Sequence, residues 1–148
     1  MTTDYRIGDA AYQAAGELEG IQRLCERFYQ LMDSRNDAQS LRAMHPADLG
    51  KATERLAWFL SGWLGGPALY QQKVGPQSLA TSHAHLPVTR ESMQAWLDCM
   101  QQALEDQQYP PAFRDYMMHR FTTPAQSMLM MAEYRSRQTP DTQFHSAI

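Results

Sequence analysis

The sequence is short of cysteine, of net charge and of long apolar runs, and each shortage removes a class of protein. Two cysteines in 148 residues make no disulfide framework. A chain of this length needs none, because it buries roughly two-thirds of the surface its unfolded form exposes. Cys25 and Cys99 sit in apolar-periodic stretches without metal-type spacing, so they read as small core residues in a reducing compartment. Thirteen Lys and Arg against sixteen Asp and Glu leave a formal charge of −3, with a pI near 5.9. That balance lacks the basic stripe of a nucleic-acid binder. The longest greasy stretch, Leu56 to Tyr70, is interrupted by Ser61, Gly62, Gly65, Gly66 and Pro67 and is too short and broken to span a bilayer. The first residues, MTTDYRIGDAAYQ, have neither the basic start nor the apolar run of a signal peptide. The expectation is one soluble, cytoplasmic domain over residues 1–148 with a polar, flexible tail from about 137, partnering neither nucleic acid nor membrane.

Familiar reaction motifs are missing as well. There is no GxGxxG or GxxxxGK[ST] phosphate loop, no CxxC or CxxCH, no HExxH, and no paired Glu-x-x-His of a di-iron bundle. No alternating strand pattern and no internal repeat occurs.

What is there is helical periodicity. Leu18, Ile21, Leu24, Cys25, Phe28, Leu31 and Met32 recur at three- and four-residue steps and predict an amphipathic helix over 18–33, preceded by a short one at about 8–16. Asp33 to Asp37 is turn-rich, and a short helix over about 38–44 stops before His45-Pro46. Asp48 can cap the next helix, which carries Leu49, Ala52, Leu56, Phe59, Leu60 and Trp63 on one face and ends at Gly65-Gly66-Pro67. From 67 to 88 there is room for one or two helical turns. Thr89 starts a helix running to about 107. Pro110-Pro111 breaks the chain, and a last helix runs from about 111 to 134 with Pro124 expected to kink it. Met93, Met100, Met117, Met128 and Met131 on helix faces read as fillers of irregular core gaps. The fold class is all-α, with five or six helices.

Inside that frame, Phe28 and Tyr29 lie on one helix, Phe59 and Trp63 on another, and Trp96 on a third. The stretch TSHAHLPVT, 81–89, places two histidines on the weakly patterned central segment. Inward-facing aromatics and an imidazole form the layout of a pocket for a flat apolar cofactor with one axial histidine, such as haem. Phe59 and Trp63 are as readily plain core. A buried phenol or indole needs a polar partner, which makes Tyr29 and Trp96 the more telling pair.

The order of pieces resembles a truncated haemoglobin of group II over roughly residues 10 to 132. The resemblance rests on Arg27-Phe28-Tyr29, on Trp63-x-Gly-Gly-Pro-x-x-Tyr ending at Tyr70, and on Gly75, Leu79 and Ser82-His83-Ala84. Ala95-Trp96-Leu97 and Met100 complete it. It implies a two-over-two helical sandwich with a short extra N-terminal helix, haem b as the iron cofactor, and the binding of dioxygen and other small diatomic ligands. His83 matches the proximal iron ligand. His85 and Leu86 stand where group II members usually carry proline and phenylalanine, which suits His85 to a surface or propionate-side role. Tyr29 and Trp96 match the distal donors. Ala52 and Leu56 match positions facing the ligand, while Phe59, Phe28, Leu79 and Leu86 belong with the cofactor's surroundings. Arg55 and Tyr70 match propionate contacts, and the family's usual arginine before the proximal histidine is Ser82 here. His45 aligns beside the haem only with a three-residue insertion around Ser34 to Gln39. It is either a third polar pocket group or a loop residue before Pro46.

The same residues suit a carrier of oxygen, a sensor, and a catalyst of nitric oxide, nitrite or peroxide chemistry that would call on an electron donor. They also suit a monomer or a homodimer. A cofactor-free helical interaction module is the competing reading.

Overall fold

The computed structural model describes residues 3–75, 86 and 88–138. Among these the regular structure is helical. In chain order the α-helices are α1 (Ala10–Ala14), α2 (Glu17–Ser34), α3 (Gln39–Arg42), α4 (Gly50–Trp63), α5 (Leu69–Lys73), α6 (Arg90–Asp106) and α7 (Pro111–Gln138), with a 3-10 turn at Asn36–Ala38. Among the described residues that is seven α-helices against the five or six expected; the short helices before α2 and after it were anticipated, and α5 falls in the stretch read as having room for one or two helical turns.

The four long helices carry the architecture. Helix α2 packs against both α4 and α6, and α6 packs against α7. The reason lies in the pattern: Ile21, Leu24, Cys25, Phe28, Leu31 and Met32 on α2 are all buried, and the apolar stripe of each partner meets them. Cys99, Met100, Ala103 and Leu104 of α6, Leu56 and Leu60 of α4, and Phe113, Met117 and Phe121 of α7 complete one core. A second, smaller cluster gathers Leu86, Val88, Met93, Ala125, Met128 and Ala132, and Trp96 and Leu97 pack against both clusters. The cysteines are free and buried. Burial pushes both thiols up, Cys99 to about 11, so they remain protonated core residues.

Local chemistry explains the helix ends. Thr89 caps α6 in a reciprocal box: its Oγ1 accepts from Ser92 N at 3.1 Å, and Ser92 Oγ accepts from Thr89 N at 2.9 Å. Asp48 does not occupy the cap position of α4, which falls to Leu49. Its carboxylate instead accepts from Gly50 N at 2.8 Å, a turn that leads into the helix. Helix α7 runs through Pro124 to Gln138, four residues beyond the expected end. Met93, Met100, Met117 and Met128 fill the interior, but Met131 is 38% exposed and does not.

Gly65 and Gly66 do more than end α4. Gly65 has φ +95°, and a Cβ there would fall on the Gly8 carbonyl oxygen; a Cβ on Gly66 would enter the Tyr12 ring. The pair lets α1 lie against the end of α4, where Tyr12 N donates to Leu64 O at 3.0 Å. A helix stop and a docking surface for the N-terminal helix are thus one device.

Candidate cofactor cleft

Between the two apolar clusters opens a cleft. Tyr29 enters from α2, Leu41, Met44 and His45 from α3 and the loop after it, Ala52, Arg55, Leu56 and Phe59 from α4, and Tyr70 from α5. The opposite side is Leu86, Val88, Met93, Trp96 and Met128.

The two expected donors are held by one ring. Phe28, fully buried, meets Tyr29 edge-on at 5.0 Å and 75°, and Trp96 at 5.1 Å and 62°. Phe121 meets the Trp96 indole from α7 at 5.2 Å. Phe28 therefore does not line the cleft, as a cofactor contact would; it stands behind the wall and fixes the two side chains that do. Among the described residues neither the Tyr29 hydroxyl nor the Trp96 indole N–H has a hydrogen-bond partner. Tyr29 is 7% exposed, and burial pushes its phenol far above the ordinary range, so it keeps its proton and remains a donor. Two donors without a partner among the described residues, both on the wall of one cleft, suit a bound acceptor.

His45 lines the cleft rather than lying out in a loop, with its ring 5.8 Å from that of Tyr29. Its Nδ1 is 3.1 Å from the Leu41 carbonyl. A carbonyl only accepts, so Nδ1 carries the proton and, in the neutral ring, Nε2 is an acceptor. The pre-proline loop that places it is clamped by Arg42, whose guanidinium donates to Asp33 Oδ1 at 2.8 Å, Pro46 O at 2.9 Å and Ala47 O at 3.1 Å. Sequence reasoning passed over Arg42, Leu41, Met44, Val88, Met93 and Met128. The methionines carried a signal, since a helix face read as core is also what faces a cofactor. Arg42 carried none, because its partners are backbone carbonyls.

Arg55, half-buried at the rim, has no carboxylate or hydrogen-bond partner among the described residues. Tyr70 meets Phe59 edge-on at 6.0 Å beside it. An apolar slot, two unpaired donors inside and an unpaired cation at the rim fit a flat apolar cofactor with acidic edge groups, which is the make-up of haem. His83, His85 and Leu79 lie outside the described residues.

The profile of the bacterial-like globins matches residues 10–130. The chain belongs to the bacterial-like globin family. This globin is 31% identical over 129 residues to the group 2 truncated hemoglobin YjbI of Bacillus subtilis, covering 87% of this chain and 95% of that one. Its fold is similar to the cold-adapted truncated hemoglobin of the Antarctic marine bacterium Pseudoalteromonas haloplanktis, with TM-score 0.77, 30% identity, and 80% and 96% of the two chains covered. It is also similar to the group II 2-on-2 hemoglobin of Agrobacterium tumefaciens, with TM-score 0.76, 31% identity, and 80% and 92% covered. Helices α2, α4, α6 and α7 are the two-over-two sandwich of a truncated globin, and α1 is the short N-terminal addition. Membership carries haem and the binding of diatomic gases such as oxygen. No helix among the described residues is long and apolar enough to cross a membrane.

Proposed function

We propose that this globin holds haem b in the cleft through His83 and binds dioxygen against Tyr29 and Trp96. The observation that carries the reading is the pair of unpaired donors, Tyr29 hydroxyl and Trp96 indole N–H, facing one apolar slot. Haem, when bound, would supply a metal that takes a diatomic ligand. This chain's residues supply the rest. Phe28 and Phe121 hold the two donors in place. Ala52, Leu56 and Phe59 exclude water from the ligand side, where a dry surrounding strengthens hydrogen bonds to a partly charged ligand. His45 stands beside Tyr29 on the same wall, its ring 5.8 Å from the phenol ring. Arg55 and Tyr70 suit the acidic edge of the cofactor, and His85 its propionate side. The same constellation suits redox turnover of nitric oxide, nitrite or peroxide, since charge that develops on the ligand is met by the same two donors.

Absorption spectra of the ferric and ferrous protein, with and without oxygen or carbon monoxide, test the reading. A strong Soret band that responds to both gases is expected. His83→Ala should abolish stable haem retention or give a form restored by added imidazole. Wild-type spectra in His83→Ala together with their loss in His85→Ala would move the ligation to His85. A colourless protein that takes up no added haem would return the reading to a helical interaction module.

A further inference from the structure

Beside the cofactor cleft lies a second cavity of about 530 Å³, counted to its open mouth. Helix α4 contributes Trp58, Phe59 and Trp63 to it, and Tyr70 and Gln71 of α5 close the other side. Phe59 and Tyr70 line both cavities, so the two share a wall.

The three tryptophans differ in how their rings are engaged. Trp96 is held by Phe28 and Phe121. Trp63 stacks on Phe121 at 5.0 Å, tilts against Phe59 at 5.9 Å and carries the Arg120 guanidinium 4.0 Å from its centroid. Trp58 meets no aromatic ring among the described residues; the Lys73 ammonium sits 5.2 Å from its centroid. Lys73 is exposed and has no carboxylate within ion-pair distance among the described residues. A half-buried indole with ring surface to spare, the Phe59 and Tyr70 rings, the neutral polar groups of Tyr70 and Gln71, and an unpaired cation at the rim complement a planar fused-ring molecule with an anionic substituent.

We propose that this second cavity binds a diffusible aromatic reductant of that class, a reduced flavin mononucleotide in chemistry, and is the place where electrons enter the haem cleft. The purpose rests on the haem reading; the binding does not. In the step, the reduced flavin ring would give up one electron and release one proton to solvent, leaving its one-electron-oxidised radical, and the iron of a bound ferric haem would take that electron. The pocket is recessed rather than flat, which suits a small free molecule over a flavin held inside a second protein.

Equilibrium dialysis of the haem-loaded protein against flavin mononucleotide tests the site, with riboflavin, which lacks the phosphate, in parallel. Saturable binding of the nucleotide is expected, with riboflavin about two- to five-fold weaker, the scale of one exposed ion pair. Trp58→Ala should weaken both by about ten-fold, as loss of a stacking platform does. Lys73→Gln should bring the nucleotide down to the level of riboflavin. Anaerobic reduction of the ferric protein by reduced flavin mononucleotide should saturate at the same midpoint as binding. Uptake that does not saturate, affinity that neither variant changes, or reduction by a flavoprotein but not by the free nucleotide would overturn the inference. The Soret band is read in the same samples. An intact band without nucleotide binding sinks this inference alone, and nucleotide binding without a band sinks the haem reading alone.

Discussion

Tyr109, half-buried, and Tyr29, buried, show how differently two places in this bundle treat a phenol hydroxyl. Tyr109, between α6 and α7, donates its hydroxyl to Ala15 O at 2.6 Å and packs edge-on to Phe113 at 5.0 Å. Tyr29 packs edge-on to Phe28 at the same 5.0 Å, yet its hydroxyl has no partner among the described residues. The cations repeat the contrast. Arg42 spends its donors on one carboxylate and three carbonyls, whereas Arg55 faces the cleft rim without a partner among the described residues. Tyr109 and Arg42 serve the fold, whereas the Tyr29 hydroxyl and Arg55 stand at the cleft without a partner among the described residues.

The most damaging way to break the contrast is to remove what both places share, a buried ring. Phe28→Ala should cost about 3–5 kcal/mol of stability, read by denaturant unfolding. It should also loosen both Tyr29 and Trp96, so ligand release accelerates in the same variant.

Exchanging the two phenols for phenylalanine sharpens it. A hydrogen bond to a partly charged acceptor is worth roughly 1.5–3 kcal/mol, so Tyr29→Phe should speed oxygen release about ten- to a hundred-fold without lowering stability. Trp96→Phe should act in the same direction, and the double variant should be non-additive because both donors serve one ligand. Tyr109→Phe should do the reverse: about 1 kcal/mol of stability lost, with oxygen release unchanged. Equal effects of Tyr29→Phe and Tyr109→Phe on release would erase the distinction between the two places.

The cations give a smaller effect. Arg55→Gln should weaken haem retention several-fold, on the scale of one partly exposed ion pair, and leave the unfolding midpoint of the haem-free protein unmoved. Haem-transfer kinetics to a stronger acceptor measure the first and thermal unfolding the second.

The smallest effects come from pH. Asp106 is held below the usual carboxylate range by the Arg27 guanidinium, which donates to it at 2.6 Å, and by Gln102. Its folded value is lower than its unfolded one, so its contribution is full above the ordinary range near about 4 and is lost as pH falls through the folded value. The pair faces solvent, so the loss is at most about 1 kcal/mol, and Asp106→Asn should flatten that part of the acid stability profile. At the alkaline side both tyrosines are raised by burial, Tyr109 to about 12. The unfolded chain ionises them near about 10 while the folded chain does not, so stability falls above that pH. Oxygen release should stay flat through the same range, because Tyr29 keeps its proton.

Much of the frame is legible without coordinates. The three- and four-residue recurrence from Leu18 to Met32 and the Thr89 start both describe local rules that the chain obeys whatever packs against it. The resemblance picked out Tyr29, Trp96, Ala52, Leu56, Phe59, Arg55, Tyr70 and Leu86, and the structure gathers all of them around one cleft. Phe28 was misplaced because periodicity says that a residue is buried, not against what: position 28 points behind the wall and position 29 into it. His45 was left open between pocket and loop because its place depends on Arg42, whose grip on Pro46 O and Ala47 O is formed only once α3 has turned back over α2.

Sequence alone determined the long helices, the Thr89 cap, the apolar stripes that must be buried, and the family, since each depends on neighbours within a few positions or on a spacing carried along the chain. The tertiary structure decided which polar groups end up paired. Tyr109 and Tyr29 have the same side chain, Tyr29 on α2 and Tyr109 in the turn between α6 and α7. What separates their hydroxyls is whether a carbonyl from a distant part of the chain arrives. Ala15 reaches Tyr109 across 94 positions, and no residue described reaches Tyr29. Hydrogen bonding acts over about 3 Å, so whether such a partner arrives is settled only when the helices have packed.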